Sequence, residues 1–207
     1  MKFLKKSALL LVAATALFIT SCHKDNNSSG YRYGYDDEFN ADTHNWSFNL
    51  PSIGASVDVS GGYLNYNYYP ASYGTNTVAI ETGLDVTSDF SIQSSIKTNY
   101  QMGIAFGVSN SDYGYALFID NSGSYALYDE GNSSITPVAI VDWTRGDVVS
   151  NAFNTVEIDQ VGSSWAGYIN GNQVFSVPAR TFYGTKVGFI VNASTTGYAD
   201  YLNVQWR

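Results

Sequence analysis

An all-β sandwich of short antiparallel strands is the fold class that this sequence predicts, on three observations. Charged residues make up only 14% of the 207-residue chain, while tyrosine occurs 17 times and glycine 19 times. A low-charge mixture of Tyr, Thr, Ser, Asn and Gly suits extended strands and tight turns. From Tyr35 to Arg207 the apolar residues alternate, and hardly any window carries the 3.6-residue period of a helix. Turn-forming clusters recur at short intervals, among them Gly61-Gly62, Asn121-Ser122-Gly123 and Asn170-Gly171-Asn172.

The alternation places strands at 56–60, 63–69, 77–81, 89–97, 102–108, 113–120 and 124–129. Further strands are expected at 135–141, 154–161, 165–170, 173–177, 186–192 and 198–206. Asn170-Gly171 between two alternating runs is the strongest hairpin signal, because a two-residue I′ turn needs positive φ at both positions. Many short strands at regular spacing fit one sandwich or barrel, and no internal repeat or second domain is visible.

The N-terminus is of another kind. Met1 to Lys6 is basic, Ala8 to Ile19 is apolar, and small residues lead into Cys22, the only cysteine. The apolar run stops short of the roughly 20 residues needed to span a bilayer, so it reads as a secretory signal. Ile19-Thr20-Ser21-Cys22 resembles the lipobox of bacterial lipoproteins, which implies cleavage before Cys22 and acylation of its thiol. Acyl chains contribute about 0.8 kcal/mol per buried CH2, so two or three of them hold a protein on a bilayer. The expected organisation is a signal peptide at 1–21, a polar tether at 22–34 and a β-sandwich domain at 35–207. Lys24-Asp25 is similar to the charged export signals of Bacteroidetes surface lipoproteins, which implies an outer-membrane lipoprotein exposed at the cell surface.

Removing residues 1–21 takes away Lys2, Lys5 and Lys6, so the formal charge falls from -8 to -11 (-8 minus 3). An acidic surface without a Lys/Arg cluster repels polyphosphate and argues against nucleic-acid binding. His23 and His44 are the only histidines, and the lone thiol is reserved for lipid. A zinc site or a Ser-His-Asp system therefore has almost no raw material.

The ordered series Asp37-Glu38-Phe39, Trp46, Gly62-Tyr63-Leu64, Asp89-Phe90-Ser91-Ile92, Gly103 to Gly107 and Tyr115 to Ile119 continues through Asn154 to Ile158 and Gly167 to Gly171, then Val187 to Val191 and Asp200 to Val204. It resembles the concanavalin A-like lectin/glucanase superfamily, in its laminin G-like and 3-keto-disaccharide hydrolase branch. The resemblance implies a jelly-roll of two curved antiparallel sheets with a sugar-facing concave side, and a hydrolase or lyase of the 3-keto-disaccharide type as the alternative to a binding module. It also implies structural calcium where the first and last strands meet, for which Asp36, Asp37 and Asp200 are the matching positions. Three acids in an acidic chain serve equally as solubilising charge.

Two constellations remain. Glu157-Ile158-Asp159 resembles the start of a family-16 glycoside hydrolase motif, but 161–163 hold no second glutamate. Val156 and Ile158 fit a core, leaving Glu157 and Asp159 on a solvated strand face with no catalytic assignment. Aromatics are the better candidates, since Tyr and Trp stack on pyranose faces and hydrogen-bond to sugar hydroxyls. Tyr63, Tyr66, Tyr68, Tyr69, Tyr73, Trp143 and Trp165 form the expected carbohydrate-binding set, with Tyr73, Tyr100, Tyr113, Trp143 and Trp165 in or near loops. Together these readings describe a non-catalytic binder of oligo- or polysaccharide held to a lipid bilayer. A structural or adhesive envelope protein is the third reading.

Overall fold

The computed structural model describes residues 30–131 and 136–207, so the signal segment, Cys22 and most of the tether lie outside the described residues. Among the described residues the chain forms β1 (Tyr33–Asp37), β2 (Phe48–Leu50), β3 (Ala55–Ser60), β4 (Tyr63–Tyr68), β5 (Thr75–Glu81), β6 (Phe90–Thr98), β7 (Gln101–Val108) and β8 (Tyr115–Asp120). It continues with β9 (Ser124–Asp129), β10 (Val138–Arg145), β11 (Asn154–Val161), β12 (Ser164–Ile169), β13 (Asn172–Pro178), β14 (Lys186–Asn192) and β15 (Thr195–Trp206). Every pairing is antiparallel. One sheet has the order β13-β12-β11-β6-β15-β4-β3-β2, with β1 also on β15; the other runs β10-β9-β8-β7-β14-β5.

The turns follow local chemistry. Asn170 (φ 51°) and Gly171 (φ 81°) connect paired Ile169 and Asn172, the I′ geometry expected of Asn-Gly. Gly61 and Gly62, at φ 64° and 80°, do the same between β3 and β4.

β15 is the spine of the larger sheet. Its first half, Thr195 to Ala199, pairs with β4, and its second half, Leu202 to Trp206, pairs with β1. The register against β6 shifts between Ala199 and Leu202, so the strand bends where it changes partners. Tyr33 and Gly34, expected in the tether, therefore belong to β1, where they face Trp206 and Gln205. β2 was not legible as a strand in the sequence, and Trp143, expected near a loop, lies inside β10.

Strand alternation fills the space between the sheets. Trp46, Phe39, Phe189, Leu64, Ile92, Ile104, Ile158 and Val204 are among the fully enclosed side chains. Each buried Leu, Ile or Phe is worth about 1.5–3 kcal/mol of removal from water, so this layer dominates stability.

Candidate functional site

A second, smaller apolar cluster lies outside that core. In β8, Tyr115, Leu117 and Ile119 point into the sandwich, so Ala116 and Phe118 must point the other way. Ala105 and Val108 of β7 and Ile190 of β14 join them, with Ala79, Tyr128 and Trp143 packed alongside. The outer face of the six-stranded sheet is thus apolar at its centre rather than polar.

That face is concave. Thr75 opens β5 at one edge, and Glu130 follows β9 with β14, β7 and β8 in between. At about 4.8 Å per strand, a flat sheet would keep them some 19 Å apart sideways alone. Instead Thr75 Oγ1 donates to Glu130 Oε2 at 3.1 Å, so the sheet curls until these corners meet. Glycines permit the curl: a Cβ on Gly103 would overlap the Leu117 carbonyl oxygen, and one on Gly188 the Val78 carbonyl oxygen. Both glycines sit at outward positions, flanked by the inward Met102, Ile104, Val187 and Phe189.

Aromatic rings form the wall of the hollow. The Phe118 centroid lies 6.2 Å from Tyr128, edge-on at 81°, and 6.2 Å from Trp143 at 40°. Phe118 is buried, whereas Tyr128 and Trp143 are partly buried. Polar groups gather at the end where β8 turns into β9. Asp120 Oδ1 accepts from the backbone N–H groups of Ser122 (2.9 Å) and Ser124 (2.8 Å), and Arg145 Nη1 donates to Ser122 O at 3.2 Å. Asn192 Nδ2 donates to Gln101 Oε1 at 2.9 Å beside them. A half-open aromatic wall with fixed amide, carboxylate and guanidinium groups at one end can stack a sugar ring and meet its hydroxyls.

The expected aromatics are not brought together. Trp143 stands on the concave face. Tyr63 is on the outer face of the nine-stranded sheet, stacked on Phe153 at 5.4 Å and 17°. Tyr69 and Tyr73 lie at the β4–β5 connection, 53% and 100% exposed. Three of the set are corrected to core residues. Leu64, Tyr66 and Tyr68 share the inward face of β4; Tyr66 is fully enclosed and its hydroxyl donates to Asn76 Oδ1 at 2.6 Å. Burial pushes the Tyr66 hydroxyl well above the usual phenol pKa. Trp165 is also fully enclosed, wedged against Tyr115 at 4.7 Å and Phe106 at 5.2 Å, with Nε1 donating to Gln160 Oε1 at 2.9 Å. None of these three can offer a ring face to a sugar. Tyr128 and Phe118 were missed, although Tyr-Ala-Leu-Phe and Tyr-Ala-Leu-Tyr are apolar on both strand faces and so mark a sheet covered on both sides.

The three candidate calcium ligands do not converge. Asp36 and Asp37 are neighbours on β1 and therefore face opposite sides of the sheet. Asp36 is exposed and accepts from Asn203 Nδ2 at 3.2 Å; Asp200 is exposed as well. Asp37 is buried and accepts from Trp46 Nε1 (2.8 Å), Phe39 N (3.0 Å) and the Tyr35 hydroxyl (3.1 Å), with His44 Nδ1 at 2.8 Å. Among the described residues no three His, Cys, Asp or Glu side chains group as metal ligands would. Glu157 belongs to the other sheet's outer face, where its two oxygens accept from Ser91 Oγ (3.3 Å) and Gln93 Nε2 (2.8 Å).

No protein-family profile and no curated protein sequence matches this chain. By structure it is similar to the CBM2 module of the evolved Dit of Lactobacillus casei BL23 phage J-1, at 10% identity and a TM-score of 0.51, over 83% of this chain and 94% of that one. It is also similar to a Bacteroides ovatus GH16 of the mixed-linkage glucan PUL, solved with a G4G4G3G product, at 9% identity and a TM-score of 0.50, over 82% and 99% of the two chains. At such identities the likeness is one of fold, an antiparallel two-sheet jelly-roll sandwich.

Proposed function

We propose that this chain is a cell-envelope lipoprotein whose sandwich domain binds an extracellular glycan without cleaving it. The acylated Cys22 of the lipobox-like segment holds it to the outer membrane, and the concave face of the six-stranded sheet holds the sugar. One observation carries the reading: Trp143 and Tyr128 stand only partly buried around Phe118 in a hollow outside the sandwich core, beside fixed hydrogen-bonding groups. The acids that resemble a hydrolase motif, Glu157 and Asp159, lie on the other sheet, and Glu157 is engaged with Ser91 and Gln93.

The test is a glycan array probed with residues 22–207 carrying Cys22→Ser, beside the same protein with Trp143→Ala. Binding to at least one neutral glycan is expected, weakened about tenfold by Trp143→Ala, the ~1.4 kcal/mol scale of one lost stacking surface. Unchanged far-UV circular dichroism in the variant separates lost binding from lost folding. A silent array, or full affinity in Trp143→Ala, rejects the reading.

A further inference from the structure

The described chain starts at one end of the sandwich, and a cluster of exposed tyrosines sits at the other. Gly30 lies against the Arg207 guanidinium, Arg32 N–H donates to Trp206 O at 3.0 Å, and Tyr33 pairs with Trp206. The tether therefore leaves beside the C-terminal end of β15. The opposite end of that strand, Thr195 and Thr196, faces Tyr68 and Asn67. Twelve strand residues at about 3.3 Å each separate the two ends by roughly 36 Å. The Thr195 end therefore lies opposite the end from which the tether leaves.

At this distal end the chain crosses between the sheets four times, after β4, β6, β10 and β14. The crossings carry Tyr69 (53% exposed), Tyr73 (100%) and Tyr100 (47%). They are fastened rather than loose. Tyr69 N–H donates to Gly54 O at 2.8 Å, Ala193 N–H to Gly74 O at 2.9 Å and Asn99 N–H to Thr196 O at 3.1 Å. A side-chain network ties them further: Thr196 Oγ1 donates to Asn67 Oδ1 (2.9 Å) and lies 2.8 Å from the Tyr69 hydroxyl, which accepts from Asn99 Nδ2 at 3.4 Å. Holding backbone and amides in place removes ordering cost on binding.

We propose that Tyr73 and Tyr100, with Asn67, Tyr69, Asn99 and Thr196, form a second, distal subsite for the same neutral glycan that the concave face binds. The inference rests on the glycan reading above. None of the six side chains is charged, and each polar one offers an amide or hydroxyl beside an exposed ring, which suits a pyranose better than a protein partner. Protein interfaces centre on a desolvated apolar core, and none of the six side chains is aliphatic. Continuity with the first site supports the pairing. Asn121 N–H, at the turn that closes β8, donates to Tyr100 O at 3.0 Å, so the strand carrying Phe118 ends directly beneath the distal patch. A polysaccharide long enough to cover both surfaces gains affinity from each, whereas a trisaccharide occupies one.

The experiment uses residues 22–207 with Cys22→Ser in affinity electrophoresis through gels holding laminarin, mixed-linkage β-glucan or α-mannan, with titration by a trisaccharide of whichever polymer retards it. Tyr73→Ala/Tyr100→Ala removes only exposed rings and keeps the network among Asn67, Tyr69, Asn99 and Thr196. That variant is expected to bind the polymer five- to tenfold more weakly and the trisaccharide unchanged, while Trp143→Ala weakens both. Polymer affinity equal to wild type in the double variant overturns the distal subsite and leaves the concave site standing. Loss of trisaccharide binding in the double variant, with Trp143→Ala unaffected, overturns the concave assignment. A wild-type protein that migrates freely in all three gels overturns the glycan reading and the distal subsite with it.

Discussion

Asp37 shows how one residue can hold a segment that has little regular structure of its own. Between β1 and β2 the chain runs through a loop in which Phe39 and Asn45 take positive φ, 52° and 59°. What holds this loop is the Asp37 carboxylate, which gathers the Trp46 indole, the Phe39 amide, the Tyr35 hydroxyl and the His44 ring. The result seats Trp46 and Phe39 against Phe189, at 5.9 and 6.0 Å, in the centre of the core. Desolvation and the neighbouring Asp37 carboxylate raise the Tyr35 hydroxyl well above the ordinary phenol range. In Asp37→Ala the buried indole and amide N–H groups lose their acceptor at about 1–3 kcal/mol each. A loss of about 3 kcal/mol in urea unfolding is expected. A loss under about 1 kcal/mol would mean that the packing of Trp46 alone secures the loop.

At the scale of elements, the six-stranded sheet is defined by its curl, and Glu130 sits where the curled corners meet. Burial raises its carboxyl above the usual carboxylate pKa; the Thr75 hydrogen bond opposes that shift and the nearby Asp129 adds to it. A raised native pKa means that the folded state holds this proton more tightly than the unfolded chain does. The group thus favours folding below the carboxylate range, and that contribution is lost as pH rises through its native pKa. Glu130→Gln keeps an acceptor for Thr75 and carries no charge, so it should melt above wild type at neutral pH. The gap should close once Glu130 is protonated, at about pH 3. Melting curves at the two pH values decide the matter, and a gap of equal size at both would contradict the burial argument.

For the molecule as a whole, the polarity set by the two ends of β15 matters most. One end receives the tether and the other displays tyrosines, an arrangement that suits a protein held at a surface and reaching outward. Its premise is acylation at Cys22. Wild-type protein is expected to fractionate with the outer membrane, and Cys22→Ser to appear soluble or as the uncleaved precursor. Cleaved Cys22→Ser protein that still fractionates with the outer membrane would remove the anchor, and the distal end would then have no reference bilayer.

Strand positions were legible because alternation and turn chemistry are local: 124–129, 154–161 and 186–192 match β9, β11 and β14 residue for residue. β1 and β2 were not, since β1 is short and polar and pairs with distant β15, and β2 is only three residues long. The chain by itself determined that this is an antiparallel sandwich, and its residues pointed to a lipobox-like segment and to aromatics as the candidate binding material. Which aromatics are available was decided only in three dimensions. Alternation puts Tyr66 on the face of Leu64 and Tyr63 on that of Asn65 and Asn67, but with tyrosine on both faces it does not say which face is covered. Only packing against the second sheet turned Tyr66 inward. The same holds for Trp143 and Trp165, which sit in similar alternating surroundings and end on opposite sides of a wall. The hollow itself comes from the curl, which depends on where Gly103 and Gly188 meet neighbouring strands far away in sequence. Local periodicity encodes strands; the facing of a strand and the curvature of a sheet are properties of contacts between strands, and only the folded chain has them.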